Sequence, residues 1–504
     1  MSLDHPNLGE CPDLSDPGKV ALIDVRQPEA PHALTYAEFD AACDAVARGL
    51  LRRGMRPGER VGILSLNRWE SLAAFLGTMR AGLVSVPISF KLARDVVDHI
   101  VTDAGLRAVF HDEARAALVP AGVEAISFDA PEGFAALLDR GPFESTRPTG
   151  REVAMMLYTS GSTGKPKGVL LSHESQRWGL QRSVALTGPM REERYIVAAP
   201  MFHMNATFSL KLALAHGASL VLLPAFEARA YLEAVARHRV TCLTSVPTML
   251  ALCAREKDLV QTLDLSSVRH VVMGSAPLTE ALIEKVRAIF PGAAVTNSYG
   301  TTEAGPVVFG PHPAGVPRPA LSVGHPVPGG EAELREGPSP DEGVLYMRNP
   351  SLMEGYHNLP AKTAEAVRDG WYRSGDIMRR DADGFFYFLG RADDMFVVGG
   401  ENVWPGEVEK LIERLDGVHQ AIVVPVPDEI KGALPFAFVV PRPGARVDEA
   451  AVKAFTLAHG PAFAHPRFVE IVEAIPLAAT NKPDRRTLGK RAAALAAARR
   501  GAAA

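Results

Sequence analysis

Cysteine is scarce in this chain. Its 504 residues include four, Cys11, Cys43, Cys242 and Cys253, and no two form a Cys-x-x-Cys pair. Thiols so scattered exclude a disulfide framework and supply no zinc motif, and they read as reduced thiols of a cytoplasmic protein. Long apolar runs are missing as well. No window approaches the ~18 uninterrupted apolar residues of a membrane-spanning helix. Neither charge dominates: 54 Lys and Arg against 58 Asp and Glu leave a formal net charge of −4. That balance gives no electrostatic case for nucleic acid or an anionic membrane as partner. The first residues, Met1 to Pro6, lack a basic segment followed by an apolar one, so no secretory signal is expected.

What remains is a globular chain. Apolar residues make up 47% and charged residues 22%, the proportions of a folded soluble protein. The length exceeds what one core holds, so two or more domains are expected. Residues 36–53 place Phe39, Cys43, Val46, Leu50 and Leu51 on one helical face. Val61 to Leu66 reads as a strand, residues 69–81 as a helix and Leu83 to Ile88 as a strand. The alternation continues through Leu220 to Leu223, Cys242 to Val246 and His270 to Met273. Such alternation predicts an α/β fold of mostly parallel sheets covered by helices. Near residue 328 the texture turns to short strands rich in Pro and Gly, consistent with a small barrel over 328–390. From about 394 a compact α+β tail follows, with strands at Ala421 to Val426 and Phe436 to Val440 and helices near 449–458 and 484–500. The Ala/Arg-rich end reads as a helix that frays.

The most informative segment is Tyr158-Thr-Ser-Gly-Ser-Thr-Gly-Lys-Pro-Lys-Gly168, between the apolar runs Val153 to Leu157 and Val169 to Leu171. The pattern reads as strand, loop, strand. Glycines let backbone N–H groups converge, and hydroxyls and lysines add donors, which suits a polyphosphate. It is not a Walker A loop: counting from Gly161, Pro166 occupies the position that motif gives to its second glycine, and a strand-like run follows where the motif opens a helix. It is not a nucleophile elbow either, because Ser160 and Ser162 lack the flanking glycine pair. A generic Gly/Ser loop is ordinarily a surface turn, so the rest of the chain must decide.

This loop resembles the phosphate-binding signature of the adenylate-forming superfamily: acyl-CoA synthetases, luciferases and peptide-synthetase adenylation domains. Further segments stand in that family's order: Gly274-Ser-Ala-Pro277, Tyr299-Gly-Thr-Thr-Glu303, Tyr372-Arg-Ser-Gly-Asp376, Gly390-Arg-Ala-Asp-Asp394 and Asn481-Lys482. Leu34-Thr-Tyr36 and Ala81 to Pro87 are similar too, and the resemblance runs over roughly residues 17–490. It implies a large domain over 1–390 with two α/β sheets and a small barrel, a hinge at 391–394 and a mobile lid over 395–504. It implies ATP, Mg²⁺ and coenzyme A. The reaction it implies is activation of a carboxylate as acyl-adenylate, then transfer to a thiol, a chemistry of alignment and charge neutralisation.

The resemblance also assigns roles. Thr159, Ser160, Gly161, Ser162, Thr163, Gly164 and Lys167 would hold the β- and γ-phosphates. Glu303 would ligate Mg²⁺, with Thr159 contributing, since a hard cation takes one or two carboxylates plus phosphate oxygens. Thr302 would donate to the α-phosphate. Gly274, Ser275, Ala276 and Pro277 would wall the adenine, with Tyr299 stacking on it and Ser298, Gly300 and Thr301 beside it. Asp376, read as lying in a Gly-Asp turn, and Arg391 would bind the ribose. Without that context they would be an ordinary surface ion pair. Lys482 would carry adenylation by bridging carboxylate and α-phosphate; Asn481 replaces the usual glycine before it and tolerates a left-handed turn best among other residues. Asp393 would be the hinge. Gly399 and Gly400 would line the coenzyme A tunnel. His203 would gate the carboxylate, and Trp178, Met204, Asn205 and Val246 would wall the acid pocket. The bulk of Trp178 and Met204 points to a small acid, branched or hydroxylated acids included, with Asn205 and Ser298 available to a hydroxyl. Loading of a carrier protein is the alternative fate of the acyl group, and a homodimer is compatible with the chain.

Overall fold

The computed structural model describes residues 2–159, 165–276, 278–398, 401–428, 430–478 and 483–501, with the side chains of residues 2, 393 and 402 outside that description. The chain divides into two compact units, one of Met1–Ala332 with Met347–Arg373, the other of Glu333–Tyr346 with Ser374–Ala504.

The first unit holds two seven-stranded sheets. One runs Ala294–Ser298, His270–Gly274, Cys242–Ser245, Arg194–Val197, Ser219–Leu222, Val20–Asp24 and His32–Thr35. Its neighbours are parallel except for the final pair, which is antiparallel. The other runs Gly355–Tyr356, Lys167–Ser172, Val153–Thr159, Val84–Pro87, Arg60–Leu64, Leu106–His111 and Glu124–Ser127. Its parallel strands carry near-continuous apolar runs because helices cover both faces. In the core of the first of these sheets, Val271 and Met273 are fully buried together with Leu243, Leu232, Leu250 and Val286.

Helix Tyr36–Arg52 starts where the Thr35 side chain accepts from the Glu38 amide and the Glu38 side chain accepts from the Thr35 amide, a reciprocal cap that satisfies two otherwise orphaned donors. Phe39, Cys43, Val46 and Leu50 are buried, on the face the sequence pattern marks. They meet helix Trp69–Arg80, and the approach is close: a Cβ at residue 77 would lie 2.5 Å from the Cys43 carbonyl oxygen and 2.8 Å from Val46 Cβ. Only glycine fits at 77.

In the second unit, strands Val418–Asp428 and Gly432–Pro441 form a long antiparallel hairpin, and Phe468–Ile471 adds in parallel. Side chains alternate across this sheet. Ala421, Val423, Ala437 and Val439 pack with Val408, Ile412 and Val452 of helices Pro405–Glu413 and Glu449–His459. Ile422, Val424, Phe436 and Phe438 pack with Leu488, Ala492 and Ala496 of helix Arg485–Gly501. That last helix is held down as far as it is described, and residues 502–504 of the end read as fraying lie outside the described residues. Arg499 pairs with Glu449 and Glu470, and Arg500 donates to the Pro427 carbonyl at 2.9 Å. The buried alanine stripe anchors the helix, and the arginines satisfy strand-end acceptors. Hairpin strands Glu331–Ser339 and Glu342–Arg348 form a further sheet with strands Trp371–Arg380 and Phe386–Arg391. This sheet occupies the stretch read as a small barrel.

Candidate active site

The hydroxyl-rich loop is closed by its own strands. Thr159 ends strand Val153–Thr159 and lies opposite Lys167, the first residue of Lys167–Ser172, in an antiparallel pair. Ser160, Gly161, Ser162, Thr163 and Gly164 lie outside the described residues. The Lys167 ammonium sits over the Tyr356 ring, 4.1 Å from its centroid. Tyr356 belongs to strand Gly355–Tyr356, which pairs with Lys167–Ser172 at Val169. Its hydroxyl donates to Glu303 Oε1 at 3.0 Å.

Glu303 is held by a tight turn. The Thr301 amide donates to the Gly305 carbonyl at 3.3 Å, and Thr301 Oγ1 accepts from the Ala304 amide at 2.9 Å. Met353 N donates to the Glu303 carbonyl at 2.8 Å. Thr302 occupies this turn, half-buried. Among the described residues Glu303 Oε2 has no hydrogen-bond or ion-pair partner. A half-buried carboxylate with one oxygen anchored, one available and no ion pair among the described residues fits a hard divalent cation. Thr159 would add a hydroxyl oxygen.

Gly274 and Ser298 end neighbouring parallel strands in register, at the carboxyl edge where open α/β sheets bind ligands. The strands are so close there that a Cβ at 274 would lie 2.3 Å from Ser298 Oγ. Ser298 Oγ donates to the Met273 carbonyl at 3.1 Å, so its proton is committed to the strand. Ser275 follows with φ of +66°, a left-handed conformation that costs a non-glycine residue about 1–3 kcal/mol and concentrates at functional sites. Ala276 follows it, and Pro277 lies outside the described residues. Tyr299 packs edge-on against Phe309, with centroids 5.8 Å apart. At Gly300 a Cβ would fall 2.7 Å from Pro306 Cα.

His203 precedes helix Met204–Ala215, its ring edge-on to Phe202 at 4.4 Å. Met204 is buried, and Asn205 accepts at its carbonyl from Ser209 Oγ at 2.8 Å. Val246 precedes helix Pro247–Cys253. Trp178, on helix His173–Thr187, stacks with the Arg182 guanidinium at 5.5 Å and faces Gly329.

In the second unit, Asp376 and Arg391 stand directly opposite on adjacent strands, with Arg391 Nη1 2.8 Å from Asp376 Oδ1. The expected turn at Asp376 is instead the middle of strand Trp371–Arg380. Gly375 takes φ of +71° there, which produces a local bend without ending the strand. Ser374 Oγ accepts from the Asp376 amide at 3.0 Å and donates to the Leu345 carbonyl at 2.8 Å, fixing the carboxylate's backbone. The Asp376 side chain is 7% exposed and that of Arg391 43%, so the arginine is the member of the pair with room to move. Asp393 lies in the short turn Ala392–Asp394. Gly399, Gly400 and Lys482 lie outside the described residues.

Tyr356 escaped sequence reasoning. It lies in no charged or glycine-spaced motif, and a buried phenol's need for a partner becomes informative only once Glu303 is seen beside it.

Hydroxyl loop, carboxylate turn and glycine-walled strand ends are the parts of a nucleotide-handling enzyme. The family model described as AMP-binding enzyme matches residues 14–357, and that of the AMP-binding enzyme C-terminal domain matches 407–482. A feruloyl-CoA synthase of Amycolatopsis sp is 35% identical over 89% of this chain and 92% of its own. The fatty acid–[acyl-carrier-protein] ligase ScoC of Streptomyces coeruleorubidus is 32% identical, covering 91% of each. The crystal structure of ATP-bound MatB from Rhodopseudomonas palustris superposes with a TM-score of 0.88 at 28% identity, covering 97% of this chain and 99% of that one. The chain belongs to the adenylate-forming AMP-binding enzymes, as an AMP-dependent acyl-CoA ligase.

Proposed function

We propose that this chain condenses a small carboxylic acid with coenzyme A in two half-reactions, through an acyl-adenylate. In the first, a carboxylate oxygen attacks the α-phosphorus of ATP, the bond to the β-phosphate oxygen breaks, and pyrophosphate leaves. In the second, the coenzyme A thiol loses its proton, its sulfur bonds to the acyl carbon, and AMP leaves. The observation that carries the reading is the Lys167–Tyr356–Glu303 constellation at the mouth of the hydroxyl loop, where cation and carboxylate are presented side by side.

Each group then has work suited to its chemistry. Thr159, Ser160, Gly161, Ser162, Thr163, Gly164 and Lys167 hold the departing phosphates. Glu303 with Thr159 would hold Mg²⁺, which when bound neutralises phosphate charge. Thr302 donates to the α-phosphate. Asp376 accepts from the ribose hydroxyls, and Arg391 reaches the same sugar. Gly274 to Pro277, with Tyr299, bound the adenine. Lys482 steadies the charge that builds between carboxylate and α-phosphate. Asp393 is the hinge for the 395–504 lid, and Gly399 and Gly400 admit the thiol. Four buried, free thiols support a cytoplasmic setting.

The buried Met204, next to the His203–Phe202 pair, supports a short acid pocket. Similarity to a feruloyl-CoA synthase favours a second reading, an aromatic acid. Similarity to ScoC makes a carrier protein the alternative acceptor. One experiment separates them: pyrophosphate release across short, hydroxylated, aromatic and long-chain acids, followed by thioester formation with coenzyme A or a carrier protein. Short acids and coenzyme A are expected to lead. Preference for ferulate-like or long acids would overturn the small-acid reading, and ADP in place of AMP would overturn the reaction.

A further inference from the structure

Tyr356 touches two groups that the proposed reaction uses, and the reaction as described gives it no task. Its hydroxyl donates to Glu303 Oε1 at 3.0 Å, and its ring face carries the Lys167 ammonium at 4.1 Å. The residue is 7% exposed. Its backbone is fixed from both sides: strand Gly355–Tyr356 pairs with Lys167–Ser172, and the Tyr356 amide donates to Thr363 Oγ1 at 2.9 Å. A rigid aromatic ring therefore stands between a flexible cation and a flexible carboxylate.

Left to themselves, a lysine and a glutamate at this spacing would pair. Such a pair would spend the charge that a polyphosphate needs on one side and that a divalent cation needs on the other. Among the described residues Lys167 and Glu303 form no ion pair with each other. The ring's π face gives the ammonium an alternative seat. The phenol proton occupies one carboxylate oxygen, fixes the plane of the group and leaves Oε2 with its lone pairs. Partners of a ligand in this position commonly govern its orientation and affinity.

We propose that Tyr356 is a positioning residue that holds Lys167 and Glu303 apart and aimed, the ammonium toward the polyphosphate and the free carboxylate oxygen toward Mg²⁺. The inference rests on the nucleotide reading above and goes beyond it by assigning to one side chain the coupling between loop and cation site.

The test uses the full chain and calorimetric binding of an ATP analogue with a methylene bridge between its α- and β-phosphates, with and without Mg²⁺. Tyr356→Phe keeps the ring and loses the hydroxyl. It should weaken Mg²⁺ binding to the analogue complex about 10-fold or more, while Mg²⁺-free analogue affinity stays within about twofold. Tyr356→Leu removes both contacts and should also weaken Mg²⁺-free analogue binding by roughly two- to fivefold. Tyr356→His, which keeps a ring and an N–H donor, should recover part of the Mg²⁺ affinity lost in the Leu variant, and it carries the test should the Phe variant not fold. Glu303→Gln combined with Tyr356→Phe should cost less than the two losses added, because both act on one carboxylate. Wild-type Mg²⁺ affinity in the Phe variant, no recovery with His, or simple additivity with Glu303→Gln would each overturn the proposal. A wild-type enzyme that binds the Mg²⁺-loaded analogue but releases no pyrophosphate with any acid would overturn the underlying reading alone.

Discussion

Lys211 shows what a single residue can store. It lies in helix Met204–Ala215, fully buried, its ammonium donating to Gln176 Oε1 at 3.1 Å and 3.5 Å from Met155 Sδ. Among the described residues no carboxylate pairs with it, and burial pushes its pKa down from 10.5 to about 8. Between those values the unfolded chain binds the proton that the folded chain has lost, so this group makes stability rise with pH across that window. Below about pH 8 the full penalty of the shift, roughly 3 kcal/mol, weighs on the fold. Lys211→Met removes it but orphans Gln176 Oε1, at about 1–3 kcal/mol independent of pH. Near neutrality the two nearly cancel, so the slope is the readout. In denaturant titrations from pH 7 to 10, the advantage of Met over Lys should be largest at pH 7 and shrink toward pH 10. Parallel curves would mean that the lysine is neutral or solvated throughout. Nothing in the sequence marks Lys211, because a lysine in an apolar helix reads as a surface residue that snorkels. Ser275 is hidden for a similar reason: a left-handed φ is a property of the path the chain must take, not of serine. By contrast Glu303, Asp376 and Arg391 stood out, because each lies in a motif whose order carries information.

Elements were more legible than residues. Periodicity and apolar runs located helices Tyr36–Arg52 and Trp69–Arg80 and strands Lys167–Ser172 and His270–Gly274 within a few residues, since local chemistry and tertiary burial agree there. They failed at Asp376, where Gly375 signals a turn and the neighbouring strands impose continuity. How close two helices come also escapes the pattern. Gly77 is a helix interior residue, and local propensity alone would make alanine about 1 kcal/mol better. The contacts reverse that sign. The added methyl would meet a carbonyl oxygen and the stem of Val46 on a facing helix, neither of which can turn away, and overpacking of this kind costs roughly 1–3 kcal/mol. Gly77→Ala should therefore lower the thermal midpoint while leaving nucleotide affinity unchanged in the folded protein. A midpoint equal to or above that of wild type would show that the two helices can part cheaply.

For the whole molecule, the proposed division of labour makes a paired prediction. Lys482→Ala should lose pyrophosphate release by orders of magnitude and still convert supplied acyl-adenylate to acyl-CoA. Asp393→Pro fixes φ near −65° and restricts Ala392. It should give a single-turnover burst of pyrophosphate and little thioester. Equal loss of both half-reactions in the lysine variant would sink the first assignment, and normal overall turnover in the proline variant would sink the second. The two-faced hairpin of the second unit bears on how such a motion can be made. Its alternate side chains are committed to two separate cores, one under helices Pro405–Glu413 and Glu449–His459, the other under Arg485–Gly501. Sliding the strands by one residue would swap every occupant of both at once, so the sheet cannot creep, shear or reshape by degrees. It behaves as a stiff plate clamped from above and below. Any swing it makes must be made whole, and the compliance has to reside in the few links of chain that lead into it.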